Sequence, residues 1–415
     1  MSQPLGALTR VFGRIGFLSF GGPAAQIALM HRELVEDRPW LTEAQFLRAL
    51  SFCMLLPGPE AMQLATYAGW RLRGVPGGLI AGGLFVLPGA LVIAALAMAY
   101  GAYADLPLVQ AGFLGVKATV VVIVIQAILR LSAKALIAPG AKALALLSFL
   151  ALFLFNLPFP LVIALAALWG ALRYSGPTPD GGQRPDLRRS LRPLAIGGAL
   201  WAAPLAAAAL AGHGFLLSVG LFFSKLAVVT FGGAYAVLAY MTQEVVTAQG
   251  WITTGQMLDA LGLAETTPGP LILVTEFVGI TAGSNLGGVW LGLLAGLMTL
   301  WVTFVPCFIW IFAGAPLIDW LEHRPRINAA LSAITAAVVG VIANLSVWFA
   351  AHVLFTSVQT LNMGPMQLLA PDWGSFSPLA LGLAFFAAAL LFWRKWSLLQ
   401  ALGATTAAAV LAGLF

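Results

Sequence analysis

Two cations stand inside long apolar stretches of this sequence, and they occupy matching places. Arg14 lies six residues before a Phe-Gly-Gly run, and Lys225 lies six residues before a second such run. A cation within a membrane segment is costly, and by default it marks a binding site or a pathway. Such a pair could bind an anion; the alternative is that both side chains reach the lipid–water interface as anchors. Lys117 is a third embedded cation with the same two interpretations.

Glycine and proline interrupt the apolar stretches close to these cations. Gly-Gly-Pro stands at 21–23, and Pro-Gly-Pro stands at 57–59 and again at 268–270. Proline removes a backbone donor and clashes with the preceding turn, so these motifs predict broken helices. In lipid, freed backbone groups are tolerated only beside protein or a water-filled cavity. Half-helices of inverted-repeat transporters begin at such breaks and direct their N-termini at an anion. A packing kink is the plainer alternative.

Embedded carboxylates and neutral polar side chains complete the candidate chemistry. Glu60, Glu265 and Glu276 are candidates for carrying coupling protons, with structural ion pairs as the alternative. Other polar pore candidates are Lys117, Gln126 and Asn344. Hydrogen bonds to an anion, or simply to a neighbouring helix, could come from Thr266, Thr267, Gln63, Gln126 and Asn344. The residue types together predict a positive, donor-rich pocket for a tetrahedral oxyanion. The predicted substrate-binding residues are Arg14, Lys225, Gly21, Gly22, Pro23, Gly232, Gly233, Pro57, Gly58, Pro59, Thr266, Thr267, Pro268, Gly269 and Pro270.

The stretch that carries these residues occurs twice. Residues 14–59 align without a gap on residues 225–270, and 17 of the 46 aligned pairs are identical. Phe-Gly-Gly, Pro-Gly-Pro and Trp40, which returns as Trp251, all keep their register. The match resumes further along the chain after an insertion in the second copy. The chain is therefore a duplicated unit.

Composition assigns the chain to the polytopic helical membrane proteins. Of its 415 residues 60% are hydrophobic and 9% are charged, against roughly 25% charged residues in soluble domains. The apolar stretches are about 17–25 residues long, which is the length a helix needs to cross the hydrocarbon. The net charge is +6, and most Lys and Arg residues lie in short loops. Their positions indicate the orientation of the chain in the membrane and do not indicate a nucleic-acid partner. Two cysteines and four scattered histidines predict no metal site, and we expect no cofactor.

The pattern predicts an all-α fold of two inverted repeats, with about six embedded helices in each. The thirteen predicted segments run about 11–30, 42–70, 77–100, 107–129, 141–156, 158–172, 194–212, 215–241, 254–281, 286–312, 327–350, 377–393 and 397–415. The predicted domains are a first repeat (1–172), a cytoplasmic linker (173–193), a connecting transmembrane helix (194–212) and an inverted second repeat (213–415).

The single connecting span turns the second copy upside down relative to the first. Charge supports this, because cytoplasmic loops are enriched in Lys and Arg. Three arginines of the first copy, Arg32, Arg38 and Arg48, are replaced in the second by Gln243, Gln249 and Asp259. With a cytoplasmic N-terminus the C-terminus is external. Segments 11–30 and 42–70 either cross fully or dip in as a re-entrant pair, and the sequence leaves both open.

Four motifs give the chain a family resemblance. Phe-Gly-Gly-Pro at 20–23, Trp-Leu-Thr at 40–42, Leu-Pro-Gly-Pro-Glu at 56–60 and Glu-Thr-Thr-Pro-Gly-Pro at 265–270 resemble the chromate ion transporter family. Because both halves carry motifs, the chain is similar to the long, two-domain members. The resemblance implies an inner-membrane transporter that expels chromate and confers resistance. One departure is Ala234, which stands where Pro23 stands in the first copy and argues against equal half-helices.

Three functions are therefore weighed. Chromate export is the leading one, driven by the membrane potential or a proton gradient. A sulfate or other oxyanion permease is the first rival, because shape and charge are nearly shared. A membrane-embedded enzyme is disfavoured, since the sequence has no nucleophile motif near an acid–base pair. The expected partners are chromate or sulfate and the lipid bilayer, and no nucleic acid is expected. The sequence leaves open whether the chain forms a homodimer.

Overall fold

The computed structural model describes residues 3–174, 187–231, 234–318 and 324–414. Within them the chain folds mostly into fifteen α-helices, which confirms the predicted all-α polytopic class. They are α1 (Leu5–Leu18), α2 (Gly22–His31), α3 (Glu43–Leu55), α4 (Glu60–Tyr103), α5 (Pro107–Ala135), α6 (Ala141–Phe155), α7 (Phe159–Arg173), α8 (Leu187–Leu210), α9 (Gly214–Val229), α10 (Ala234–Thr242), α11 (Thr254–Thr266), α12 (Val274–Gly314), α13 (Pro325–Leu354), α14 (Pro378–Ala388) and α15 (Leu398–Ala412).

The helices break at the predicted motifs. α2 carries Pro23 in its first turn, α4 begins directly after Pro59, and a 3₁₀ turn that leads into α12 begins directly after Pro270. Proline is favoured at a helix start because the N–H it lacks would have no helical partner there. Gly21, which caps α2, has φ 85°, in the left-handed region that favours glycine.

α1 and α2 form a hairpin that is too short to cross a bilayer. α1 has 14 residues, and α2 has 10 and continues directly into a π-helix of five residues (Arg32–Glu36). The two limbs are about 21 and 22 Å long, against a hydrocarbon core of about 30 Å. Arg14 Nη1 on α1 lies 3.4 Å from Glu33 Oε1, just beyond α2. A helix that continued the direction of α1 would carry Glu33 more than about 20 Å away. α2 therefore runs back beside α1 as an antiparallel partner, as a re-entrant pair requires.

α4 and α12 are each two helices joined by a sharp turn. Non-helical backbone angles occur at Arg73 and Gly74 in α4, and at Gly287 and Gly288 in α12. Before and after each turn the limbs pack closely: a Cβ added to Gly69 would lie 2.2 Å from the carbonyl oxygen of residue 77. In α12 residue 283 meets residue 291 in the same way. The first limb of each helix therefore returns antiparallel to the second.

A β-hairpin lies between α13 and α14, where the sequence predicts no element. β1 (Val358–Met363) pairs antiparallel with β2 (Met366–Pro371), and Gly364 in the turn has φ 64°. β1 is almost entirely exposed and β2 passes from exposed to half-buried, so neither strand has the alternation that marks a half-buried strand in a sequence. The hairpin is an addition to the predicted all-α architecture.

The chain packs as two compact units, each of which takes segments from both repeats. Unit 1 comprises Met1–Met98, Tyr174–Ala234 and Thr267–Asn328, and unit 2 comprises Ala99–Arg173, Tyr235–Thr266 and Ala329–Phe415. Sequence repeats and packing units are thus different divisions of the chain. In unit 2, α5 packs against α15, and the Thr119 and Thr405 hydroxyls meet at 2.6 Å.

Candidate anion site at the helix breaks

The two Pro-Gly-Pro breaks are held by reciprocal backbone hydrogen bonds within unit 1. Gly58 N–H donates to the carbonyl of Thr230 at 2.9 Å, and Gly269 N–H donates to the carbonyl of Ser19 at 2.8 Å. Gly58 and Gly269 are repeat equivalents, and so are Ser19 and Thr230. Each repeat therefore completes the backbone bonding of the other at the helix breaks. Buried backbone groups require such partners, most of all in a membrane.

Tight packing surrounds the same glycines. A Cβ on Gly89, in α4, would lie 2.2 Å from the Pro268 carbonyl oxygen, and a Cβ on Gly58 would lie 3.0 Å from Cys307 Sγ in α12. Gly58 has φ 119° and Gly269 has φ 89°. Both the backbone angles and the close approach explain why the sequence keeps glycine in both motifs.

Two buried side-chain amides donate hydrogen bonds to backbone carbonyls at the breaks. Gln63 Nε2 donates to the Pro57 carbonyl at 2.7 Å, and Gln26 Nε2 donates to the Gly269 carbonyl at 2.7 Å. Both side chains are almost fully buried. Gln63 was predicted to donate a hydrogen bond to an anion or to a neighbouring helix. In the structure its amide donates to a backbone carbonyl instead. Gln26 was missed by the sequence interpretation, because its counterpart in the second copy is Val237.

Three helix starts converge on one small cleft in unit 1. Pro23, Pro59 and Pro270 line it together with Gln26 and Glu60. Helix N-termini carry a partial positive charge and unpaired N–H groups, which favour an anion. Ionised Glu60 would oppose an anion in this cleft, so binding there requires a proton or a cation at that carboxylate. The motifs predicted to act together thus meet in space.

The two repeat-related cations lie away from the cleft lining. Arg14 is paired with buried Glu33, which also binds Arg38, and the Arg14 side chain is 58% exposed. Lys225 lies on α9, and neither it nor Arg14 belongs to the described residues that line the cleft. Glu33 was not among the predicted site residues. Its signal was present in the repeat, since Glu33 returns as Glu244 while the other acids of that loop change.

Lys117 has a buried acidic partner in unit 2. Its Nζ lies 2.9 Å from Asp259 Oδ1, and the Tyr100 hydroxyl donates to Asp259 Oδ2 at 2.8 Å. Lys117 and Asp259 form an ion pair, but the geometry at Asp259 Oδ1 is not that of a hydrogen bond. Asp259 is only 6% exposed, so the pair joins α5 of the first repeat to α11 of the second inside the protein. The sequence interpretation did not assign Asp259 to the site.

The other candidate acids have different surroundings. Glu265 accepts a hydrogen bond from the Tyr235 hydroxyl at 2.8 Å in unit 2. Glu276, in unit 1, is buried, and its Oε2 has no hydrogen-bond partner among the described residues. Thr266 donates to the Leu263 carbonyl of its own helix. Glu265 and Glu276 thus belong to different units.

The remaining predicted residues divide between the two units. Gly22 has φ 79° beside the break before α2, and Thr267 is buried after α11. Gln126 is half-buried on α5, and Asn344 lines a polar cavity of unit 2. Gly232 and Gly233 lie outside the described residues.

Comparison with known proteins gives one consistent family. The model of the family described as "Chromate transporter" matches residues 6–171 and 217–414. The chain is 31% identical over 401 residues to the chromate transport protein of Pseudomonas aeruginosa, covering 93% of this chain and 86% of that protein. It is 31% identical over 342 residues to the chromate transport protein of Cupriavidus metallidurans, covering 81% and 80%. A probable chromate transport protein of Synechococcus elongatus is 29% identical over 400 residues, covering 94% and 95%.

No solved structure matches the chain. The family match spans both repeats, and the relatives bear the names of transporters and not of enzymes. The chain therefore belongs to the chromate transporter family.

Proposed function

We propose that the protein exports chromate from the cytoplasm across the inner membrane and so confers chromate resistance. The observation that carries the proposal is the convergence of three proline-marked helix starts on one cleft, in a chain of this family. A tetrahedral oxyanion can accept hydrogen bonds from unpaired N–H groups at helix N-termini. The relatives from Pseudomonas aeruginosa and Cupriavidus metallidurans, named as chromate transport proteins, support chromate as the anion.

Arg14 and Lys225 supply positive charge on the helices that lead into the breaks. Each lies on the short helix directly before a Phe-Gly-Gly run. The Arg14 guanidinium contacts the Glu33 carboxylate. An arriving anion therefore competes with that carboxylate for the guanidinium. Arg38 remains with Glu33 when Arg14 turns to the anion, and no buried charge is left without a partner.

The membrane potential alone suffices to drive export of a dianion. Moving one charge through 100 mV is worth about 2.3 kcal/mol, so two charges and a potential of about 150 mV, negative inside, give roughly 7 kcal/mol. Each tenfold of concentration costs about 1.4 kcal/mol, so an outward gradient above a thousandfold can be sustained. The energy for export therefore comes from the potential without ATP and without a proton gradient.

A proton-coupled variant rests on the embedded carboxylates. Glu276 is the candidate that the surroundings favour, because a buried carboxylate with an unbonded oxygen, here Oε2, is costly when ionised. Glu265 and Glu60 are the alternatives, the first bonded to Tyr235 and the second on the cleft. An electroneutral exchange through one of them would replace the potential as the driving force.

Sulfate is the natural competitor of chromate, because both are tetrahedral oxyanions of equal charge. A sulfate permease would carry the anion inward against the potential, and it would need several cotransported cations. The direction of transport therefore separates the two functions.

Everted membrane vesicles test both the direction and the energy source. The lumen of such vesicles corresponds to the outside of the cell, so export appears as accumulation. We expect a potential that is positive inside the lumen, imposed without a pH gradient, to drive accumulation of radioactive chromate, and sulfate to compete. Accumulation driven by a pH gradient alone would support exchange through a carboxylate. Uptake only into right-side-out vesicles would support the permease.

A further inference from the structure

An amide nitrogen in unit 2 sits where three oxygen atoms converge. Gln243 Nε2 lies 2.5 Å from Asn156 Oδ1, 3.1 Å from the Asn156 carbonyl oxygen and 3.5 Å from the Leu157 carbonyl oxygen. A side-chain amide has two N–H donors, so it cannot satisfy all three acceptors fully. Three oxygen atoms thus face the position of one nitrogen atom.

The end of α6 creates this oxygen-rich position. Asn156 caps α6 in the left-handed conformation, with φ 45° and ψ 39°. The last carbonyls of a helix lack helical partners and form its negative end. The Asn156 side chain is oriented from outside, because its Nδ2 donates to Gln367 Oε1 on β2 at 3.1 Å. Its Oδ1 is thereby held toward the same point as the two carbonyls.

A polar cavity adjoins the position and offers further oxygen atoms. Asn156 and Gln243 line it with Thr242, Thr247 and Asn344, around about 490 Å³ of space that is partly open to solvent. The cavity gives the Gln243 side chain room to turn away from Asn156. Amide and hydroxyl oxygens of the lining can then complete a coordination shell.

The charge of the lining decides which ion fits. Every residue that lines the cavity is uncharged, whereas Ca²⁺ and Mg²⁺ sites use carboxylates. Carbonyl oxygens at helix ends and unwound segments are the ligands that transporters use for Na⁺. An anion is disfavoured because the convergent atoms are acceptors. We infer that a monovalent alkali cation, Na⁺ in the first place, binds at Asn156 and Leu157 when the Gln243 amide turns into the cavity.

Thermal unfolding of the purified full-length protein tests the site without chromate. Unfolding is measured in NaCl, KCl and choline chloride at constant ionic strength, and Na⁺ binding is measured directly with ²²Na⁺. We expect a saturable rise of the unfolding temperature in NaCl that exceeds the rise in KCl and is absent in choline chloride. Equal curves in all three salts, without bound ²²Na⁺, would overturn the inference. A response to K⁺ alone would overturn the choice of Na⁺.

Two variants connect the response to these residues. Asn156→Gly keeps the left-handed backbone and removes Oδ1, so ²²Na⁺ binding should weaken at least tenfold. Gln243→Lys brings an ammonium group to the same oxygens, so the protein should be stable in choline chloride and indifferent to Na⁺. Gln249→Lys is the matched control, because it adds the same charge beside Glu244, the partner of Gln249, and should respond as the native protein does. If Asn156→Gly fails to fold, Gln243→Lys decides: a native Na⁺ response in that variant contradicts the site.

Discussion

At the scale of single residues, a glycine in each Pro-Gly-Pro motif is required by its backbone. Gly269 has φ 89° and its N–H binds the Ser19 carbonyl. We expect Gly269→Ala to cost about 1–3 kcal/mol of local strain and to reduce transport at constant membrane level. The unfolding temperature and the initial rate of chromate accumulation measure the two effects. Gly403→Ala is the control, because a Cβ there meets nothing within 4 Å. Equal behaviour of the two variants would contradict the role of the break.

The charge of Arg14 and Lys225 gives a second prediction at this scale. A hydrogen bond to a charged group is worth roughly 1.5–3 kcal/mol, or about ten- to a hundred-fold in affinity. Arg14→Gln and Lys225→Gln should therefore lower the apparent affinity for chromate by that factor, and Arg14→Lys and Lys225→Arg should retain most of it. Concentration dependence of transport in everted vesicles measures the affinity. Normal transport by both neutral variants, with the protein present in the membrane, would make the two residues interface anchors.

At the scale of the elements, matching caps begin the helices that lead to the two Pro-Gly-Pro breaks. The Thr42 hydroxyl accepts from Gln45 N–H at 3.3 Å and starts α3, and Thr253 accepts from Gln256 N–H at 3.1 Å and starts α11. In both, the threonine N–H donates in turn to the glutamine Oε1, which completes a capping box.

Removing one cap should weaken its helix by a predictable amount. Thr42→Ala is expected to lower the free energy of unfolding by about 1 kcal/mol, since the Gln45 N–H loses the threonine hydroxyl that accepts from it. Thr9→Ala is the control, because Thr9 bonds only to the carbonyl of its own helix. Thermal or denaturant unfolding in detergent measures the difference. A control variant as destabilised as Thr42→Ala would show that the cap has no specific effect.

At the scale of the whole molecule, the inverted topology is a prediction that several contacts support. In unit 2, Gln243 after α10 bonds to Asn156 between α6 and α7, and Asn156 bonds to Gln367 in the hairpin. These three loops therefore belong to one side. Counting spans from a cytoplasmic N-terminus makes residues 156–158 and the hairpin external. Residues 243–253 then share that side only if α9 and α10 are a re-entrant pair.

Reporter fusions and accessible cysteines test this topology. A reporter in the linker near Gln183 should be cytoplasmic, and one at Phe415 should be external. In a background without native cysteines, Asp37→Cys should react with an impermeant thiol reagent only from the cytoplasmic side, and Gln249→Cys only from outside. Reaction of both cysteines from the same side, or reporters on one side, would contradict inverted repeats.

The sequence by itself determined what depends on local composition and on duplication. Hydropathy and scarce charge define a helical membrane protein, and proline and glycine define the breaks, because each acts on its own backbone. The duplicated motifs also predicted that the breaks act together, and Pro23, Pro59 and Pro270 do meet in one cleft. The function of the predicted site residues, and the domain boundaries drawn from the repeats, remain predictions.

Only the tertiary structure decided which distant groups meet. Three contacts join residues that are separated in the chain. They are the hydrogen bond from Gly58 N–H to the Thr230 carbonyl, the Arg14–Glu33 contact between α1 and the end of α2, and the Lys117–Asp259 pair. The hydropathy of a segment carries no information about its partner, and a re-entrant pair is as apolar as a crossing helix. The physical reason is that desolvated polar and charged groups must be satisfied by whichever groups packing brings to them.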